Sequence, residues 1–390
     1  MRSRDRRVAL HKFWKVKAAM DHMQHRTIQR VETAAGGYDA VYGAGLLDDL
    51  AELLHARGLD GRAVLCTDSN VEPLHAKGIE AALERAGHRP LLWTMPAGEE
   101  HKNLGTVAKA YAWMAERGVE RRDVVVAVGG GVVGDLSGFV AATYLRGLRL
   151  VQVATTLTAQ VDSALGGKVG VDLPAGKNLV GAFHDPALVV GDATTLTTLP
   201  RREWRAGLAE LLKHGLIYDK HLLDDLIAAR PDMLDRDPSL IAALIARGAA
   251  VKAAVVRDDP REHGVRRILN YGHTLGHAVE RTAGYGVVKH GEAVAWGMAA
   301  AARIGVLTKT CGAEFAPWQD DLLRDFGLLD RALLPPLRAA DLIAATRLDK
   351  KTIGGRINWV LPVEAGSVVI TSDVPDIVVE AAARWLSDGL

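Results

Sequence analysis

The sequence predicts an α/β domain followed by a helical one, on three observations. Short β-rich runs alternate with helical patterns between residues 38 and 192; a glycine-rich turn joins one of those runs to a small-residue helix; and after "TLTTLP" the strand rhythm stops. The runs are, in order, "YDAVY", "AVLCTD", "PLLWTM", "DVVVAV", "LRLVQVATT" and "LVVGD". Strands buried on both faces read as continuous apolar segments, and helices between them fit a mostly parallel, Rossmann-like sheet. From Arg201 the pattern is helical, as in "EWRAGLAELLKHGLIYD" and "SLIAALIARGAAVKAAVVRDD", with Pro and Gly marking turns. One late strand is expected in "RINWVLPV". The expected organisation is a basic extension over 1–27, an α/β domain over 28–199 and a helical domain over 200–390.

The chain has 390 residues, 48% of them hydrophobic and 24% charged, enough for two cores. Lys and Arg total 48 against 47 Asp and Glu. Such balance gives no electrostatic case for nucleic acid or an anionic membrane, so no partner of either kind is expected. No apolar stretch free of charge reaches the length of a membrane span. Two cysteines, Cys66 and Cys311, suit reduced thiols and a cytoplasmic location. The first 25 residues carry seven Lys/Arg against two Asp, which reads as a poorly ordered extension; Met20 or Met23 is expected nearer the working start.

In "DVVVAVGGGVVGDLSGFVAA" the residues Gly129, Gly131 and Gly134 satisfy G-x-G-x-x-G. Glycines there let backbone amides approach a pyrophosphate seated on the positive end of a helix, although a plain tight turn uses the same residues. The acidic residue expected about 20 positions later in a standard dehydrogenase is missing, because that strand ends "VQVATT". Asp68 and Asn70, after an earlier strand, could hold a ribose or adenine instead. Glu99 and Lys102, in "PAGEEHK", lie on a loop after another strand.

In the second half, Arg266, Asn270, His273 and His277 fall within an arc of about 60° on an uninterrupted helix. A polar stripe flanked by Ile268, Leu275 and Val279 is costly to bury unless something polar meets it. Glu210, Lys213 and His214 share one side of "LAELLKHG", and Lys252 is a lone cation in "GAAVKAAVV". Each also has a bland reading as a solvated face or a surface ion pair. One carboxylate and two imidazoles suit Zn²⁺ with a position open for substrate. Spacing alone favours His273 and His277, but "HTLGH" lacks the glutamate of H-E-x-x-H, which argues against a zinc protease.

Taken together, "GGGVVGDLSGFVAATYLRG", "TTLTAQVDSALGGKVGVDLPAGKNLVGAF", "RAGLAELLKHGLI", "REHGVRRILNYGHTLGHAVE", "HGEAVAWGM" and "LDKK" resemble the sugar phosphate cyclase family, most closely its 3-dehydroquinate synthases. The matching runs span roughly residues 60 to 362 in the expected order. The resemblance implies an NAD-binding domain and a helical domain with the active site in the cleft between them. It implies Glu210, His273 and His290 as ligands to one divalent metal, Zn²⁺ or else Co²⁺, with His277 facing substrate. It places NAD on Gly130, Gly131, Gly134 and Asp135, with Asp68, Asn70, Glu99, Lys102, Thr155, Thr156, Lys168, Lys177 and Thr198 around it. Substrate would meet Asp162, Lys168, Asn178, Lys213, Lys252, Arg266, Asn270, His277 and one of two adjacent lysines, Lys350 or Lys351. Arg146 would reach the site of a neighbouring subunit, which implies a homodimer.

The implied reaction turns the sugar phosphate 3-deoxy-D-arabino-heptulosonate 7-phosphate into 3-dehydroquinate and phosphate, in the shikimate route to aromatic amino acids. It proceeds by transient oxidation, phosphate elimination, re-reduction, ring opening and aldol closure, with NAD regenerated each turnover. "GGK" at 166–168 with Arg266, Asn270 and His277 favours this substrate, whose carboxylate needs those donors. The alternatives are cyclases acting on an amino analogue, sedoheptulose 7-phosphate or glucose 6-phosphate, a metal-dependent polyol dehydrogenase, and a non-catalytic binding module. His214 stands where the family commonly has an aromatic residue, and the spacer between His277 and His290 is a loop of variable length.

Overall fold

The computed structural model describes residues 26–388 except 35, 231–236, 263, 285, 348–351 and 354–355. The basic extension up to residue 25 lies outside the described residues. So do Lys350 and Lys351, the two lysines of which one is expected at the substrate. Seven strands form one sheet in the order β1-β2-β9-β6-β5-β3-β4. These are β1 (Arg26–Val31), β2 (Tyr38–Gly43), β3 (Ala63–Asp68), β4 (Leu91–Met95), β5 (Val124–Gly129), β6 (Arg149–Ala154) and β9 (Leu188–Asp192). All neighbours pair in parallel except β1, which runs antiparallel to β2 at one edge. β1 begins at Arg26, two residues inside the segment read as an extension, because residues 26–31 find a full ladder on β2. Each of the six strands expected from the sequence is present. In β5 every side chain is buried, as a strand covered on both faces requires.

A hairpin of β7 (Lys168–Leu173) and β8 (Gly176–Phe183) stands outside the sheet, where the sequence suggests no strands. Its alternation is obscured by glycines, by a register shift between Val171 and Leu173 and by Asn178 at φ 52°.

The helices that position the site are α1 (Leu50–His55), α2 (Lys77–Arg85), α3 (Leu104–Glu116) and α4 (Gly131–Thr143) in the sheet half. After residue 200 come α5 (Arg201–Ile217), α6 (Lys220–Ala228), α7 (Pro238–Asp258), α8 (His273–Ala283), α9 (His290–Leu307), α10 (Phe315–Asp325), α11 (Ala339–Arg347) and α12 (Asp376–Asp388). The expected late strand is Trp359–Glu364, and it pairs with a further strand, Ser367–Thr371. α7 starts where Asp237 caps the amides of Ser239 and Leu240 and Pro238 takes the first helical position. By length and composition it could cross a membrane, contrary to the expectation that no segment could. Ile241, Ile245, Ala249 and Val256 on it instead join one core with Tyr38 and Tyr42 of the sheet and Leu208 and Leu212 of α5. That shared core fixes the helices on the sheet.

Close approach of α5 and α9 depends on Gly291, where an added Cβ would stand 2.0 Å from the Ala206 carbonyl oxygen. The same contact is locked by Arg202 of α5, which donates to both oxygens of Glu292 (2.6 and 2.7 Å), while Glu292 reaches back to the Lys289 amide and starts α9. Gly291→Ala should force these helices apart, costing about 1–3 kcal/mol. Because Glu210 is one turn from Ala206 and His290 adjoins Gly291, bound metal should fall as well. Gly78→Ala in α2, with nothing within 4 Å, is the control and should raise or hold the melting temperature. Melting curves and metal content of the two variants check this.

Candidate active site

Glu210 sits in the middle of α5, His273 at the first residue of α8 and His290 at the first residue of α9. Their ligand atoms lie within 4.8 Å of one another. Glu210 Oε1 is 3.4 Å from His290 Nε2 and 3.8 Å from His273 Nε2, and it makes no hydrogen bond although fully buried. A tetrahedral ion with bonds of about 2.0–2.1 Å has ligand atoms roughly 3.3 Å apart, so this spacing fits such an ion. The outward nitrogens are held: His273 Nδ1 faces the Tyr271 carbonyl at 3.1 Å, and His290 Nδ1 faces Glu280 Oε2 at 3.1 Å. An imidazole donating from Nδ1 in this way turns its Nε2 lone pair inward.

The electrostatics agree with a cation site. Burial pushes the Glu210 carboxyl up, but Lys213 and His290 outweigh it and bring it down to about 2. Burial disfavours a charged His290, yet Glu210 and Glu280 override that and raise it to about 10. The pocket therefore draws positive charge onto His290. A second set of potential ligands, His277, Glu280 and His290, shares one imidazole with the first.

The polar stripe is not on one helix. Arg266 and Asn270 lie on a 3-10 turn, Val265–Asn270, and the chain breaks at Gly272, whose φ of 79° suits glycine, before α8 begins. The break still gathers the residues. The ring of His277 is 5.4 Å from that of His273 and 6.0 Å from that of His290. Arg266 donates to the Pro260 carbonyl at 2.6 Å and the Gly166 carbonyl at 3.3 Å. Asn270 donates to Glu262 Oε1 at 2.8 Å, and Glu262 Oε2 is salt-bridged to Lys168. Glu262, at φ 60°, thus ties two expected substrate residues together.

Lys213 is salt-bridged to Glu210 Oε2, with both side chains almost completely buried. Lys252 donates to Asp162 Oδ1 at 2.7 Å. Burial raises the Asp162 carboxyl, but Lys252, Lys213 and nearby His214 hold it far below the ordinary range. His214 itself is fully buried, and neither of its ring nitrogens has a hydrogen-bond partner. Burial, then Lys213, lowers its pKa to about 4, so it stands neutral among charged neighbours.

On the sheet side, the remaining candidates follow the C-terminal ends of parallel strands. Gly130 caps α4, with Gly131 and Gly134 in its first turn. Thr155 is buried and bonded to the Gly129 carbonyl, and Thr156 accepts from the Ala159 amide beside Gly130. Asp68 at the end of β3 accepts from the amides of Asn70 and Val71. Thr198 meets His75 at 2.9 Å. β5 borders β3 and β6, and the chain order reverses between β3 and β5, which is where open α/β sheets bind ligands. Lys102 joins this end to the hairpin: its ammonium is 3.0 Å from Glu99, 3.3 Å from Asp135, 3.7 Å from Asp172 and 2.9 Å from Asn178 Oδ1. Burial opposes the charge on Lys102, and the three carboxylates keep it. Burial wins at Asp135, which rises to about 6. Lys177 lies 3.5 Å from Glu280 and 3.7 Å from Glu99.

One expected position stands apart from this cluster, and another lies outside the described residues. Arg146 is exposed, at φ 67°, past the far end of α4. The lysine expected at the substrate, Lys350 or Lys351, belongs to the segment 348–351, outside the described residues.

Against known families, residues 92–206 match the model of the 3-dehydroquinate synthase N-terminal region and residues 207–352 that of the C-terminal region. The chain belongs to the 3-dehydroquinate synthase family. A 3-dehydroquinate synthase of Symbiobacterium thermophilum is 48% identical over 355 residues, covering 89% of this chain and 96% of the relative. Among solved structures, a 2-deoxy-scyllo-inosose synthase complexed with carbaglucose-6-phosphate, NAD⁺ and Co²⁺ superposes with TM-score 0.82 at 27% identity, covering 93% of this chain and 100% of that one. A 2-epi-5-epi-valiolone synthase of Streptomyces hygroscopicus subsp. jinggangensis with NAD⁺ and Zn²⁺ bound gives TM-score 0.82 at 29% identity, covering 90% and 97%. This member of the 3-dehydroquinate synthase family therefore shares its architecture with sugar phosphate cyclases.

Three carboxylates of the cluster escape a reading of the sequence. Glu280 follows His277 by one helical turn, a usable signal; Glu262 lies hidden in the charged run "DDPREHG"; and Asp172 lies on the unexpected hairpin.

Proposed function

We propose that the chain converts 3-deoxy-D-arabino-heptulosonate 7-phosphate into 3-dehydroquinate and phosphate, using NAD⁺ and one divalent metal, Zn²⁺ or Co²⁺. The observation that carries this reading is the convergence of Glu210, His273 and His290 beside Lys168, Lys213, Lys252, Arg266 and Asn270. A polyol needs no such set of cations, whereas a substrate bearing both phosphate and carboxylate does.

Bound metal would supply Lewis-acid charge at a substrate hydroxyl, and bound nicotinamide a reversible hydride acceptor. Glu210 and the imidazoles of His273 and His290 would hold the metal, and Lys213 fixes the Glu210 carboxylate through its other oxygen. Lys168, Arg266 and Asn270 receive the anionic ends of the substrate, and Glu262 keeps Lys168 and Asn270 aimed while they wait. Charges fixed before substrate arrives need no reorganisation during reaction. Asp162 orients Lys252. His277 presents a titratable ring beside the metal ligands, placed to hold or pass a proton at the substrate. On the sheet side, Gly130, Gly131, Gly134, Asp135, Asp68, Asn70, Glu99, Thr155, Thr156 and Thr198 would surround the nucleotide.

Arg146 supports a homodimer. The family resemblance would have its guanidinium serve a second copy, and its exposed place beyond α4, whose 13 residues span roughly 20 Å from the glycine turn, fits that role. A cytoplasmic enzyme fits the buried thiol of Cys66, which burial pushes up to about 12 and keeps unreactive.

The test is phosphate release. The heptulosonate substrate should yield phosphate with no net NADH, chelator should stop turnover, and Zn²⁺ or Co²⁺ should restore it. Phosphate released only from sedoheptulose 7-phosphate or glucose 6-phosphate, or NADH accumulating with glycerol, overturns the assignment.

A further inference from the structure

We infer that Lys177 and Glu280 form an ionic bridge through which the metal site and the nucleotide site strengthen each other. Glu280 is nearly buried on α8 and has both oxygens engaged. Oε2 holds His290 Nδ1 at 3.1 Å, and Oε1 faces the Lys177 ammonium at 3.5 Å. Lys177 in turn lies 3.7 Å from Glu99 Oε1, the oxygen that Lys102 also meets at 3.0 Å. Lys102 closes the series on Asp135 in the first turn after the glycine turn, at 3.3 Å. The series runs His290, Glu280, Lys177, Glu99, Lys102, Asp135, with charges alternating from Glu280 onward. It crosses from the helical half to the sheet half on one side chain of β8.

The sign of the coupling follows from Lys177. A carboxylate behind a ligating imidazole raises its basicity and its hold on a metal. Lys177 weakens that effect while it shares the Glu280 charge. A nucleotide bound on the sheet side that drew Lys177 away from Glu280 would return the full charge to Glu280, and the metal would be gripped harder. Reciprocity then requires metal to tighten nucleotide by the same factor. The bridge rests on the proposed function, which supplies both ligands, and it makes Lys177 and Glu280 positioning residues.

The experiment measures Zn²⁺ affinity by chelator competition with and without saturating NAD⁺, and NAD⁺ affinity by calorimetry with and without Zn²⁺, all without substrate. In the wild type each ligand should tighten the other by about 5–150-fold. Lys177→Met should bring that factor below about twofold, within the measurement error of no coupling. Lys177 is on a hairpin outside the sheet and its removal leaves the core intact, which the melting curve verifies. Glu280→Gln should weaken Zn²⁺ about 10–100-fold and lose the coupling too. A lysine that merely touches the nucleotide would lower NAD⁺ affinity equally in both metal states and leave the factor intact. Coupling retained in Lys177→Met, or wild-type protein that binds both ligands without mutual effect, overturns the bridge alone. Wild-type protein that binds neither Zn²⁺ nor NAD⁺ overturns the proposed function and the bridge with it.

Discussion

Glu210→Gln is expected to abolish metal retention and, with it, turnover. The substitution keeps the shape of the side chain but removes the negative charge that faces His273 and His290. Loss of an outer partner of a ligand weakens a metal about 10–100-fold, and loss of a ligand itself should exceed that. Metal charge supplies several kcal/mol at the transition state, so phosphate release should fall by about 10³-fold or more. A second effect is independent of metal. Lys213 is left charged and buried without its carboxylate, a situation that costs about 3–5 kcal/mol and should lower the melting temperature of metal-free protein as well. Elemental analysis after dialysis and a phosphate assay check the first effect, and calorimetry the second. A variant that keeps one metal per chain would remove Glu210 from the ligand set.

The fold is legible in the sequence where burial writes a simple pattern. β5 and β6 lie between layers of helices, so "VVVAV" is apolar throughout and "LVQV" is interrupted only by Gln152. The β7–β8 hairpin is not legible, since half of β8 faces outward and an irregularity within β8 puts Asn178 at positive φ. At the site, spacing identifies the right helix faces and the wrong continuity. Periodicity carries Arg266 and His277 onto one helix, but it cannot register the helix interruption at Gly272, where positive φ and the close approach of Met298 and Val294 of α9 leave no room for a Cβ. Nor can it bring His290 to Glu210, because the contact depends on how closely α9 packs on α5 at Gly291. The resemblance to a family supplies that pairing; no local rule does. Glu262 and Glu280 show the complementary limit: each looks like a solvated charge in sequence, and each acquires meaning from a partner 94 or 10 residues away.

Lys168→Ala separates anion recognition from metal binding. Lys168 is 47% exposed at the side chain, and it pairs with Glu262 on a loop. Exposed pairs of this kind contribute about 0–1 kcal/mol, so the variant should fold and melt close to wild type. It should also keep its metal, because Lys168 touches none of Glu210, His273 and His290. Catalysis is a different matter. Removing one preorganised donor from a developing charge typically costs about 10²–10³-fold in kcat, and here Glu262 would be left facing the incoming anion without its counter-charge, adding repulsion to the loss. Phosphate release should therefore collapse in a protein that is folded and metal-replete. The charge argument also predicts a graded rescue: Lys168→Arg keeps the positive charge and should recover part of the rate, whereas Lys168→Gln keeps length and polarity and should not. Loss of metal from Lys168→Ala, or equal rates in the arginine and glutamine variants, would mean that Lys168 serves the architecture of the hairpin rather than the charge of the substrate.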